Sequence, residues 1–234
     1  MGAIYKKEMR TFFVTPIGYI FLASAFLISS AAFCFTTLKM ASWNTKYYFT
    51  IMIFVFIILS PMLTMKLFSE ERRTRTEQML LTSPVSLTGM VMAKYLSAMT
   101  MMGGILALTS VYFIPLYSYA EPTTAVLIGN LIALIMVGSA TVSIGIFISS
   151  LTENQMVAAV VTMVVLFLFM GAGFVNQYID IYAIRSIFSW ISIFNRFGNF
   201  MHGIFDLGAF VYYASITIIA IFLTVRVYEK RRWG

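Results

Sequence analysis

The sequence predicts an all-α polytopic membrane protein with six transmembrane helices, and three observations lead there. The first is composition: of 234 residues, 60% are hydrophobic and 11% charged, with a mean hydropathy of +0.89, against roughly 25% charged residues in soluble domains. The second is where the charges fall. The uncharged intervals 11–38, 47–65, 95–120, 122–152, 154–179 and 207–225 each reach the roughly 20 residues a spanning helix needs, within its usual range. Lipid offers no hydrogen-bond partners to the backbone, so such runs must be helical, and the alternating pattern of a barrel is absent. The third is the partition of basic residues. One set of alternate loops holds Lys6, Lys7, Arg10, Lys66, Arg72, Arg73, Arg75, Lys94, Arg226, Lys230, Arg231 and Arg232, whereas the other holds Lys39, Lys46, Arg185 and Arg196. Basic residues near helix ends stay in the cytoplasm, so both termini and the charged loop after the second span are expected inside. The net charge of +7 is then mainly a topology signal facing anionic lipid headgroups, and nucleic acid is not a partner.

Taken in order, residues 2–15 carry Tyr5, Met9, Phe12 and Phe13 at helical spacing, with Lys6, Lys7 and Arg10 opposite. This predicts a helix lying on the inner leaflet, interrupted by Pro16; the same residues would also serve to extend the first span inward. The first span, 17–38, is too long for the apolar core of a secretory signal and is expected to be retained. Cys34, the single cysteine, excludes an intramolecular disulfide and is expected to be a small packing residue. Trp43, Tyr47 and Tyr48 mark the outer interface, and the second span returns over 49–65. Between Glu70 and Glu77 six residues are charged (Glu70, Glu71, Arg72, Arg73, Arg75, Glu77), followed by Met79-Leu80-Leu81. This reads as a short amphipathic helix, 70–82, built to dock a soluble partner.

Ser83-Pro84 supplies an N-cap and a first-turn proline for a third span over 84–117. A turn at Glu121-Pro122 leads into the fourth, 124–149, where Gly145 and Ser149 form a small-xxx-small pair suited to close helix contact. Glu153, too costly at mid-membrane, separates it from the fifth, 155–175. The segment 176–206 is aromatic and apolar yet holds Asp180, Arg185, Arg196, His202 and Asp206, which predicts helices lying at or dipping into the outer leaflet. The sixth span is 207–225, anchored by Tyr228 and Trp233. The bundle, 1–234, is a single domain.

No phosphate-binding G-x-x-x-x-G-K-[ST] loop, metal-type His/Cys cluster or nucleophile elbow occurs. The chain is therefore expected not to hydrolyse ATP itself, to be non-catalytic and to hold no metal or cofactor. His202 and Asp206, four apart, would share a face if both were helical, the geometry of a proton relay.

The run from Glu71-Arg72-Arg73 through Thr76-Glu77-Gln78-Met79-Leu80-Leu81-Thr82-Ser83-Pro84-Val85-Ser86 resembles the cytoplasmic loop of type-2 ABC exporter permeases. Ser149-Ser150-Leu151-Thr152-Glu153-Asn154-Gln155 resembles the family's turn between helices 4 and 5. Phe200 to Ser215, with Glu229-Lys230-Arg231-Arg232-Trp233, resembles its last helix. The likeness is nearest to permeases of gliding-motility and sodium-extrusion systems. It implies a half-transporter in a bacterial plasma membrane, paired with a second permease and two ATPase subunits that bind ATP and Mg. The charged loop would be the coupling helix. Glu71, Arg73 and Glu77 would meet the ATPase groove, Met79, Leu80 and Leu81 would pack towards the membrane ahead of Pro84, and Glu153 with Asn154 would make a smaller contact. The external segment would resemble the family's re-entrant helices at the exit, with Arg185, Trp190, Arg196, His202 and Asp206 among its polar and aromatic members. Arg75 departs from the pattern, since many members have glycine there.

Two other classes compete. An autonomous ion-coupled carrier should place acidic residues or histidine at mid-membrane depth facing a cavity; here every acidic residue maps near a helix end and no inverted repeat is apparent. An intramembrane enzyme would need a convergent catalytic set, which the sequence lacks.

Overall fold

The structure, a computed structural model, describes residues 1–38, 45–78, 85–119, 124–175, 190 and 192–233. Helix α1 (Gly2–Val14) lies outside the spans and ends at Thr15, whose extended backbone (φ −85°, ψ 149°) is what a residue before proline adopts. Pro16 opens α2 (Pro16–Phe33), which continues as a π-helical stretch over Cys34–Leu38. After it come α3 (Lys46–Arg73), α4 (Leu87–Ser110), the short α5 (Phe113–Tyr119), α6 (Thr124–Leu151), α7 (Gln155–Val175), α8 (Ile193–Met201) and α9 (Leu207–Trp233). No strand occurs among the described residues, and α2 with its π turn, α3, α4, α6, α7 and α9 are long and apolar enough to cross a membrane. The fold is the all-α, six-span architecture that the charge spacing predicts.

Several boundaries move. The second span does not stop at 65: α3 runs unbroken to Arg73, so Glu70 to Arg73, the expected first turn of a separate docking helix, are the last turn of this one. At 1.5 Å per residue its 28 residues extend about 42 Å, beyond the ~30 Å hydrocarbon core. The third span starts later than expected, because Ser86 is the N-cap, its hydroxyl accepting from the Gly89 N–H at 3.2 Å, and it ends at Ser110 instead of 117, the residues beyond the break forming the separate α5. The fourth span continues to Leu151 and the sixth to Trp233. Cys34 is exposed, on the outer side of the π turn, and does not pack in the core.

The core forms where α6 packs against α3 and α9, with α7 on α3 and α6, and α4 joining α1 and α2 to α6. Gly145 earns its place in α6: a Cβ there would stand 2.3 Å from the Thr64 Oγ1 of α3, so only glycine allows the two helices this close. One turn on, the buried Ser149 hydroxyl accepts from the Phe68 and Ser69 N–H groups (3.3 and 3.2 Å) and donates to the Met65 carbonyl (3.1 Å). The small pair read from the sequence is thus the α3–α6 seam.

Candidate functional site

The end of the bundle that carries both chain termini is where α1, the end of α3, the start of α4, the α6–α7 turn and the end of α9 meet. Charges fix them to one another in two clusters.

The first cluster is buried. Lys94 lies seven residues into α4 with no accessible surface, and its ammonium meets Glu8 Oε1 of α1 at 3.0 Å and Glu71 Oε2 of α3 at 2.8 Å. It also donates to the Leu67 carbonyl and stands 4.8 Å above the Phe68 ring. Lys7 closes the arrangement from the more exposed side, 2.7 Å from Glu71 and 3.7 Å from Glu8. Burial alone would push the Lys7 ammonium down, but its hydrogen bond to Glu71 and the charges of Glu71 and Glu8 outweigh that and hold it above its ordinary value of 10.5. Glu71, expected to face an ATPase, is therefore committed inward, with its side chain only 11% accessible. A buried carboxylate needs a cation, and two are already in contact. Neither Glu8 nor Lys94 stood out in the sequence. The available signal was Glu8 itself, which shares the buried face of α1 with Ile4 and Phe12 at intervals of four; a carboxylate in an otherwise apolar stripe requires a buried partner.

The second cluster is open. Arg72 donates to the Leu151 carbonyl at 2.8 Å and pairs with Glu153 at 3.0 Å. Arg231 of α9 donates to the Ser150 carbonyl at 2.6 Å, pairs with Glu77 at 3.1 Å and stacks 5.2 Å from the Tyr228 ring. Two guanidinium groups thus cap the last carbonyls of α6, where the helix dipole favours cations, and bind the ends of α3, α6 and α9 into one block. Asn154 holds the start of α7, its Oδ1 accepting from the Met156 N–H at 2.9 Å. Between these groups lies a cavity of about 470 Å³. Arg72, Arg73, Arg75 and Arg231 give it four guanidinium groups, Glu77 and Glu153 two carboxylates, and Gln78 an amide.

Arg73 and Arg75 are exposed. Arg75 has φ 58°, the left-handed conformation that side chains disfavour and glycine accepts freely. It follows the C-cap Thr74, and its N–H bonds the Arg72 carbonyl at 3.2 Å. This is the position where helices ordinarily carry glycine. Met79, Leu80, Leu81 and Pro84 lie outside the described residues.

At the opposite end, α8 buries Ile193, Phe197 and Phe200 and stops in a Schellman turn: Gly203 (φ 76°) bonds Phe200 O and Ile204 bonds Asn199 O. That turn separates His202 from Asp206, so the two do not share a helix face and the relay geometry does not form. His202 Nδ1 meets Lys46 Nζ at 3.0 Å. Asp206 accepts from Asn199 Nδ2 at 2.7 Å and from the Gly208 N–H at 2.8 Å, starting α9. The Asn199 hydrogen bond, foremost, holds its carboxyl below the ordinary value of 3.8. Arg196 stacks on Trp190 (5.0 Å) and Tyr212 (5.6 Å). Arg185 lies outside the described residues. No group of three or more metal-ligating side chains occurs among the described residues.

Six apolar helices, with two clusters of charged side chains gathered at one end of the bundle, define a multi-pass membrane protein whose ion pairs sit at the ends of its spans. The family description "ABC-2 family transporter protein" matches residues 37–227, and the chain belongs to that family. It is a membrane subunit of an ABC transporter, from a family of permeases that are typically non-catalytic and associate with ABC ATPases. No curated protein matches the chain.

Proposed function

We propose that the chain is the permease subunit of an ABC exporter, working as a dimer of permeases with two separate ATPase subunits that bind ATP and Mg. The basic end of the bundle is taken as cytoplasmic on the excess of lysine and arginine there. Substrate leaves by alternating access, past the end that carries α8. The observation that carries this reading is the continuity of α3 from Lys46 to Arg73, ending at the open arginine-rich cavity. A push delivered by an ATPase at Arg73 would move the whole second span as one rigid element, which is how two-state transporters transmit closure. Glu77 and Arg231 tie that same end to α9, so the last span would follow.

The test is ATP-dependent efflux from vesicles holding the permease–ATPase complex purified from native membranes. Efflux should require ATP and collapse when the ATPase is stripped off; robust ATP turnover by the chain alone would refute the reading. An autonomous ion-coupled carrier draws on one observation, the buried Glu8–Lys94–Glu71 cluster. That cluster sits at a helix end with each charge paired. Gradient-driven flux in liposomes lacking ATPase would favour it instead.

A further inference from the structure

We propose that Arg75, with Arg73 beside it, recognises a carboxylate on the ATPase partner, and that arginine stands at position 75 for that contact despite its backbone strain. The inference rests on the reading of the chain as an ATPase-coupled permease. Among the described residues, two helix ends terminate with a left-handed residue after the C-cap. One of them uses Gly203, which adopts the conformation at no steric cost, whereas the other uses Arg75. A strained side chain retained where glycine would serve points to a function of the side chain itself.

Its surroundings say what that function recognises. Of the four guanidinium groups lining the cavity, Arg72 is engaged by Glu153 and the Leu151 carbonyl, and Arg231 by Glu77 and the Ser150 carbonyl. Both carboxylates are thereby used. Arg73 and Arg75 have no side-chain partner among the described residues, so the uncompensated positive charge of the cavity resides on them. A planar fork of donors matches a carboxylate in bidentate geometry. An anionic lipid is the weaker candidate, because every described residue lining the cavity is polar or charged and among these acyl chains have nothing to lie against.

The experiment uses the full-length chain in nanodiscs and, as probe, the ATPase subunit that co-purifies with the wild-type chain from native membranes. Affinity is measured against salt for wild type, Arg75→Gly, Arg75→Lys and Arg73→Gln, together with thermal unfolding of each chain alone. Arg75→Gly should unfold at a higher temperature than wild type yet bind the ATPase at least about tenfold more weakly, the scale of one charge-assisted hydrogen bond, with a shallower salt dependence. Arg73→Gln, in regular helix, should weaken binding in the same direction without the thermal gain, and Arg75→Lys should fall between wild type and glycine. Equal affinity and salt slope for wild type and Arg75→Gly would overturn the proposal while leaving the permease reading intact. A loss seen in phosphatidylglycerol nanodiscs but absent in phosphatidylcholine would overturn it in favour of lipid. Failure of the wild-type chain to bind any ATPase in either lipid would remove the proposed function as well.

Discussion

Replacing Lys94 with methionine removes the cation that holds α1, α3 and α4 together. Lys94 has no accessible side-chain surface, and its partners Glu8 and Glu71 keep only 9% and 11% of theirs, so water cannot take over its role. Removing one member of such a buried set costs about 3–5 kcal/mol, because charge is left behind uncompensated. Lys7 remains 2.7 Å from Glu71 and 3.7 Å from Glu8 and still offsets part of that charge, which puts the expected cost near the lower bound, about 3 kcal/mol. For a chain of this length each kcal/mol moves the midpoint by roughly 2–4 °C, so the variant should unfold about 6–12 °C earlier in detergent, followed by circular dichroism. Methionine keeps the volume, and the triple variant Glu8→Gln, Glu71→Gln, Lys94→Met should recover most of the loss, since a neutral site of similar shape is close to isoenergetic with a buried ion pair. An unchanged midpoint for Lys94→Met, or a triple variant no better than the single, would refute the argument.

Gly145→Ala should destabilise by about 1–3 kcal/mol through the 2.3 Å approach to Thr64 Oγ1; a second change, Thr64→Ala, should restore part of the midpoint, and its failure to do so would place the strain elsewhere. Arg231→Leu leaves Glu77 and the Ser150 carbonyl without their donor, an expected loss of about 2 kcal/mol, and should also uncouple ATP turnover from efflux in the assembled transporter. Asp206 titrates lower in the folded chain than its ordinary 3.8. Its contribution is accordingly present above that pH and disappears as the pH falls through the folded value. Wild type should lose thermal stability below about pH 4, and Asp206→Asn should lack that portion of the acid response.

The spans could be read from the chain because a charge inside lipid is costly, so the gaps between charges delimit the helices. The same logic misplaced the end of α3. Lys66 looks like the end of the span and Glu70 and Glu71 like the start of a separate helix, yet the backbone continues unbroken because Glu71 finds Lys94 and Lys7 in space. Gly145 and Ser149 were legible as a close-contact pair since both lie on one helix. Glu8 with Lys94 and Arg231 with Glu77 were not, being separated by 86 and 154 positions, with nothing in local spacing to announce a partner so distant. Arg75 was visible as a departure from a pattern, but only its backbone angle showed why glycine belongs there. His202 and Asp206 misled, because a spacing of four means one face only if no glycine ends the helix between them.

The order in which the chain is made gives the buried cluster another significance. A lysine seven residues inside a membrane helix is a poor substrate for insertion, the cost rising with depth towards the roughly 2.5–3.5 kcal/mol that a charge meets at the helix centre on the mild scale. Glu8 and Glu71 belong to segments synthesised before α4, so both carboxylates are in place when Lys94 reaches the bilayer. Neutralisation can then accompany insertion, and α4 enters as a docking partner of α1 and α3, not as a lone span. A chain permuted to make α4 first would meet the same lysine with no acceptor waiting.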